Sequence, residues 1–442
     1  MRSTAKVYDQ LRADLTAMPL VDCHDHADAI GPCYTDPIQA AIGTFYVPDE
    51  VGFLLTDDER RQLFDFSRPY VERWPLLEKS WRQMRHTGYA QLARLIMKRF
   101  YCEEDLTLEA LHRISGNMLS VATPEAFEKI LDEAGIVVRL ANVVSDLPSQ
   151  VRAVAAGSLK LPPRSRLVVP ITNFHTVAVL SQCQPVTNAP DLQAVAAAFG
   201  RTVLTLDDYL VFCRELFTAY RRLGAVAFKD VSAYTRPLAF TNPTRAEAEA
   251  VFNWFMADPR RKVAFPDQLR PLDDFLFHQF MAMARDLALP VQIHTGHLAG
   301  SRNNLTNANA IQLVSVLELH RDVQFDLFHA NWPYGGEILF LGKNYPNVRL
   351  DFCWSHIIDP VGTVRLLEQT VSAVPHAKIH AYGSDMGNSV EQAWAHAEIA
   401  RDNVATALAN LVELDYFGLD DAREVARCWL FDNANKFFRL GA

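Results

Sequence analysis

Residues 20–32 read LVDCHDHADAIGP, so an apolar run stops at Asp22, His24, Asp25, His26 and Asp28. In an extended strand, residues i and i+2 share one face. His24 and His26 therefore project the same way at the strand's end. Two neutral imidazoles aimed at one point, with a carboxylate able to orient a ring N–H, are how a metal site begins. A lone H-x-H is equally consistent with two surface histidines in a polar loop. The rest of the chain decides between these readings. Further chemistry-bearing residues end later apolar runs: Lys229 in AVAFKD, His294 in VQIHT, His329 in DLFHA and Asp385 in YGSDM.

Those residues need elements that bring them together. Short β-rich runs occupy 19–24, 135–143, 165–172, 224–230, 290–295, 323–330, 347–353 and 378–385. Amphipathic helical stretches separate them. In 206–223, Tyr209, Phe212, Cys213, Leu216 and Phe217 keep helical spacing, and Gly224 stops the pattern. Mostly apolar strands alternating with helices predict a parallel sheet covered on both faces. Eight of them predict a closed (β/α)8 barrel spanning 1–442, with the chemistry at its C-terminal mouth. A doubly wound open sheet is the competitor, but no Gly-rich first turn is present. Chance could place one or two such residues at strand ends. Six in phase is hard to attribute to packing.

One long segment breaks the rhythm. Residues 27–134 separate the first strand from the second and contain Trp74, Leu77 and Trp81 at helical spacing. Aromatics at that spacing are more often core than ligand contacts. An insertion after a barrel strand sits on the C-terminal face, so the segment is read as a helical cap. Residues 240–275 form a second, smaller elaboration after the fourth strand.

The chain's 442 residues, 49% hydrophobic and 21% charged, describe an ordinary globular protein. A net charge of −9 and the lack of a Lys/Arg block argue against a nucleic-acid partner. The seven cysteines are odd in number, widely spaced and without a C-x-x-C, which suggests a reducing, cytoplasmic compartment. No window approaches the ~18 apolar residues of a membrane span, and no signal peptide is visible. A small molecule is the expected partner. The oligomeric state, including a homo-oligomer, is open.

The ordered set His24-x-His26, IHTG, FHA and GSD resembles the amidohydrolase superfamily, in its amidohydrolase-related branch of metal-dependent barrel hydrolases. The end CWLFDNANKFFRL is similar to that branch's closing helix, and the length of the insertion is similar to that of uronate isomerases. The resemblance implies that His24, His26 and Asp385 hold one divalent metal. His294 and His329 then bind a second, or one joins the first site while the other meets substrate. Zinc is the first choice, with manganese or iron as alternatives, and one or two ions per chain. Asp385 would also receive the proton of the activated water. Two-metal members carry a carboxylated lysine on strand four, which puts Lys229 in question. A cationic lysine cannot ligate a metal. Its other readings are an anchor for a substrate anion or an ion pair with Asp230.

Other residues follow strand ends. Tyr234 and Arg236 are candidates to grip a substrate carboxylate, Arg by its bidentate fork. His297 is a candidate pocket residue or metal ligand. Trp332 and Trp354 wall the pocket or pack the core. His356 follows strand seven and is a candidate acid/base group or substrate contact. Together these residues predict a metal-dependent hydrolase of a C–N or C–O bond in a small polar, carboxylate-bearing substrate. Two alternatives stand: a non-hydrolytic relative (uronate-type isomerase, decarboxylase or oxygenase) and a non-catalytic barrel subunit. The family's isomerases show an arginine just beyond the strand-eight aspartate, whereas Met386 and Gly387 follow here. The intact ligand set argues against a dead barrel.

Overall fold

Side chains alternate between two environments along each strand, which is what a sheet buried on both faces requires. Leu20, Ile136, Leu167, Val169 and Phe228 pack outward into the large core shared with the helices. Val21, Cys23, Val138, Leu140, Val168 and Ala227 form a separate cluster with Phe431, Phe438 and Leu440 of the C-terminal segment. The computed structural model describes residues 4–26, 34–43, 46–119, 123–142, 146–176, 192–258, 267–387 and 389–442. The predicted strand residue Val143, the start of the insertion at 27–33, Cys33 and Cys183 lie outside these residues.

Eight parallel strands follow in sequence order: β1 (Leu20–Asp25), β2 (Ile136–Asn142), β3 (Ser165–Pro170), β4 (Ala227–Asp230), β5 (Val291–Ile293), β6 (Phe325–Leu327), β7 (Val348–Asp351) and β8 (Ile379–His380). Each pairs in parallel with the next. The segment after β8 returns to β1. Cys23 N–H donates to Tyr382 O at 3.1 Å, Asp385 N–H to His24 O at 2.8 Å, and His26 N–H to Met386 O at 2.8 Å. These bonds close the seam of the predicted (β/α)8 barrel.

The strands are shorter than their apolar runs. His294, His329 and Asp385 lie beyond the ladders of β5, β6 and β8, and His329 and Asp385 adopt positive φ of 60° and 47°. The apolar character continues because these residues are still buried. The backbone turns because its side chains converge on one point.

Between β1 and β2 the described residues hold helices at Pro37–Ile42, Val47–Phe53, Asp57–Leu63, Tyr70–Met84, Gly88–Tyr101, Leu108–Gly116 and Pro124–Ala134. Thr56 and Glu59 form a capping box, and Thr87 and Thr107 cap the helices that follow them. These helices carry their own core, in which Val51, Leu77, Trp81, Ala93 and Met97 are buried. The aromatic spacing around Trp81 thus serves packing. Its indole N–H donates to Asp105 at 2.9 Å. Among the described residues no helix is long and apolar enough to cross a membrane.

Outside the barrel axis lies a sealed ionic network. His175 bonds Asp230 through Nε2 at 2.5 Å and Asp273 through Nδ1. Burial opposes the imidazolium, but Asp273 and Asp230 outweigh it and push His175 up to about 9. A group raised from 6.5 to about 9 contributes stability that is complete below pH 6.5 and is lost as pH rises through 9. We therefore expect thermal stability to fall across that window. His175→Phe should flatten the slope and cost about 3–5 kcal/mol, because it strands two buried carboxylates. Melting curves of both proteins from pH 6 to 9.5 check this.

Candidate metal centre

His24 and His26 reach the barrel mouth because Asp22 holds the end of β1 in place. Its Oδ1 accepts from His24 N–H at 3.2 Å and from Ser384 N–H at 2.8 Å, bridging both sides of the seam. Asp385 is thereby set beside the two histidines. Its Oδ1 lies 3.0 Å from His26 Nε2 and 3.5 Å from His24 Nε2. One donor atom from each of the three residues fits within a 4.8 Å span. His24 and Asp385 are buried, whereas the His26 side chain keeps 26% exposure and faces the opening.

Across the mouth, His329 Nδ1 donates to Cys353 O at 2.9 Å, which leaves Nε2 as a lone pair. His294 Nε2 donates to His297 O at 2.8 Å, which leaves Nδ1 as a lone pair. The two lone pairs face each other at 3.1 Å. Asp385 Oδ2 stands 3.9 Å from His329 Nε2 and brings a third acceptor. Burial drives His329 down to about 3, and burial with His329 and Lys229 nearby holds His294 well below its usual value. No proton is available to sit among these acceptors near neutral pH. The donor set fits a divalent cation of the zinc, manganese or iron kind.

Lys229 lies one residue before the end of β4, just beneath this group, and is fully buried. Its Nζ has no hydrogen-bond partner and lies 3.1 Å from the centroid of the Phe328 ring, a cation–π seat. Burial lowers its pKa to about 8. It does not pair with Asp230, whose carboxylate belongs to His175. Below Lys229 the barrel interior is polar. Gln292 Nε2 bonds Cys23 O at 3.1 Å, and His380 Nδ1 lies 3.0 Å from Asp326.

A cavity of about 180 Å³ opens beside the centre. Tyr46, Asp49, Glu50, Phe53 and Tyr89 of the inserted helices line one wall, and His297, Ala299, Trp332 and Ile358 line the other. Of the residues singled out in the sequence, His297 and Trp332 are therefore pocket residues. Tyr234 stands at the rim, 39% exposed, with its ring 4.8 Å from His294. Trp354 is buried and supports the centre from behind, its ring 5.1 Å from His329 and 4.3 Å from Tyr46. Two expected residues are not brought to the pocket. Arg236 is sealed against Asp273 (2.9 Å) and Asp274 (2.5 Å) and stacks on Phe240, so its fork is not offered to a ligand. His356 donates through Nε2 to Ala381 O at 2.6 Å and meets Asn403 through Nδ1 at 3.2 Å. Both of its nitrogens serve packing.

Tyr46 went unnoticed in the sequence. Its hydroxyl donates to Asp385 O at 2.9 Å, tying the inserted helices to the strained backbone of that residue. No periodicity or motif marks it.

A parallel barrel gathering imidazole and carboxylate groups at one mouth defines a class of metal-dependent barrel enzymes. The family model described as Amidohydrolase matches residues 186–440, and the chain belongs to that family. Protein fluG of Emericella nidulans is 24% identical over 225 residues, covering 49% of this chain and 26% of that protein. The chain thus spans about a quarter of that relative's length. Among solved structures, uronate isomerase from Thermotoga maritima superposes with a TM-score of 0.76 at 15% identity, over 98% of this chain and 97% of that one. Glucuronate isomerase from Caulobacter crescentus gives 0.69 at 17% identity, over 100% and 95%. A candidate metal-dependent hydrolase from Lactobacillus casei gives 0.67 at 15%, over 98% of both chains. The likeness to uronate isomerases expected from the insertion holds at the level of the fold.

Gly296 decides how closely the two histidine loops approach. It has φ of +70°, and a Cβ there would lie 2.5 Å from Asn331 C and 2.6 Å from Trp332 N. Gly296→Ala must push the loop of His294 away from that of His329. We expect a loss of about 1–3 kcal/mol in unfolding free energy and separated histidine resonances in NMR spectra. Unchanged stability and spectra would show that the loops are not held at contact distance.

Proposed function

We propose that this chain is a metal-dependent hydrolase that cleaves a C–N or C–O bond of a small polar substrate. The observation that carries the reading is the facing pair of unprotonated nitrogens on His294 and His329, with Asp385 as a third acceptor. Acceptors crowded together without a proton call for a cation. His24, His26 and Asp385 would hold it, joined by His329 or His294. A divalent cation bound there supplies a water of lowered pKa and polarises a carbonyl. Asp385 receives the proton of the attacking water, since its oxygens face the same space as the imidazoles. The aromatic wall of Tyr46, Tyr89 and Trp332 limits the pocket to a small substrate and excludes bulk water. Zinc is our first choice, ahead of manganese and iron.

The described lining offers no lysine or arginine for a substrate carboxylate. With Arg236 sealed away, an anionic substrate group would depend on Lys229 alone. We read Lys229 as a free ammonium, because its cation–π seat on Phe328 suits a cation. A unit positive charge there repels a second, divalent metal by roughly 8 kcal/mol at 4 Å and an effective dielectric of about 20. One ion per chain is the expected stoichiometry.

A second reading has support in the whole-chain overlap with uronate isomerases, inserted helices included. Labelled water separates the two. A hydrolase places solvent oxygen in its product, whereas a uronate isomerase yields a ketose without it. A panel of small amides, esters and uronates should show label incorporation for an amide or ester.

Elemental analysis of protein purified without added metal should give about one ion per chain. His24→Ala should deplete it. Asp385→Asn should keep partial occupancy yet lower turnover by about 100-fold or more, the usual worth of a positioned proton acceptor. Lys229→Ala should spare the metal and weaken substrate binding. Two ions per chain, lost together in Lys229→Ala, would establish the carboxylated lysine instead. Near-normal turnover in Asp385→Asn removes the assigned proton acceptor.

A further inference from the structure

Cys353 follows β7 by two residues and is fully buried. One donor atom each from Cys353, His329 and Asp385 fits within a 4.8 Å span, so the thiol stands at the edge of the candidate centre. Its position is fixed by the backbone. Cys353 N–H donates to Asp351 Oδ1 at 2.6 Å, its carbonyl accepts from His329 Nδ1, and Trp354 N–H donates to Gly383 O at 3.1 Å. Gly383 supplies the space. A Cβ on that residue would come within 2.7 Å of Cys353 Cβ and 2.8 Å of Sγ. A thiol that merely filled the core would not need a glycine opposite it and an imidazole and a carboxylate within reach.

A second observation points the same way. Lys229 Nζ is fully buried and has no hydrogen-bond partner. The Cys353 thiol is among the acidic groups that surround it, with Asp385, Asp351 and Asp326. A thiolate there would add an anion beside the ammonium. Burial, with Asp385 and Asp351 nearby, favours the protonated thiol, so the anion needs a cation bound beside it.

We propose that Cys353 is a thiolate ligand of the metal centre, joining His329 and Asp385, and that it biases the site toward zinc and cobalt over manganese and magnesium. The proposal rests on the reading that the centre binds a metal. On binding, the S–H bond breaks, the proton leaves to solvent and the sulfur lone pair is shared with the cation. Thiolates prefer borderline and soft cations, whereas manganese and magnesium prefer oxygen. A ligand set of histidines and carboxylate alone would discriminate among these ions less.

Cobalt(II) makes the test optical. The apoprotein is loaded with cobalt and its absorption spectrum recorded for native protein, Cys353→Ser and Cys23→Ser. Cys23 is the control because it belongs to a separate buried group with Asp351 and His380. The native protein should show visible d–d bands and a near-ultraviolet sulfur-to-cobalt charge-transfer band. Cys353→Ser should lose only the latter, and Cys23→Ser should keep both. Zinc affinity of Cys353→Ser, by competition with a chelator, should fall at least about tenfold, with a smaller change for manganese. Visible bands without the near-ultraviolet band in native protein overturn the role of Cys353 and leave the metal reading intact. Loss of that band in Cys23→Ser but not in Cys353→Ser overturns it in favour of the lower group. No cobalt uptake overturns both readings. Absence of the near-ultraviolet band from the native spectrum decides against Cys353 even where a variant fails to fold.

Discussion

Two imidazole nitrogens face one another at 3.1 Å with no proton between them, because each ring spends its N–H on a backbone carbonyl. Unrelieved, this arrangement costs free energy in a medium that screens charge poorly. Much of the surrounding structure holds it in place. Gly296 permits the close approach of the loops, Trp354 packs behind His329, and three successive left-handed residues, His329, Ala330 and Asn331, turn the chain so that the ring points inward. Left-handed backbone at ordinary residues is unfavourable by about 1–3 kcal/mol each. A fold that retains it at this spot concentrates strain where chemistry is expected.

The barrel interior extends the theme downward. An apolar layer of Val21, Val138, Leu140 and Val168 closes the lower end against Phe431 and Phe438. Above it come Gln292, Asp326, Asp351 and His380, all buried, and then Lys229 and the histidines. Asp22 at the seam is pushed up to about 8 by burial and by Asp25. Within the polar layer, burial and the neighbouring Asp326 likewise raise Asp351. The layer gives the centre a floor of hydrogen-bonding groups rather than one of oil.

Much of this was legible in the sequence, for a physical reason. Parallel barrel strands are mostly apolar, so a histidine, lysine or aspartate where such a run stops stands out. His24, His26, Lys229, His294, His329 and Asp385 were found this way, and the structure gathers them at one mouth. The same reasoning overreached for Arg236 and His356, which also follow strand ends. Their partners, Asp273 and Asp274 in one helix and Asn403 in another, are distant in sequence, and nothing local shows that a side chain is already satisfied. Tyr46 was missed for the converse reason. Its role exists only through a tertiary contact with Asp385.

The seam between β1 and β8 has a consequence for how the protein is made. The ribosome delivers His24 and His26 long before their partner Asp385. Contacts of such long sequence separation form late and slowly. Until the segment after β8 is made, the proposed cation site lacks its carboxylate. On that reading, ion capture would mark a barrel whose seam has closed.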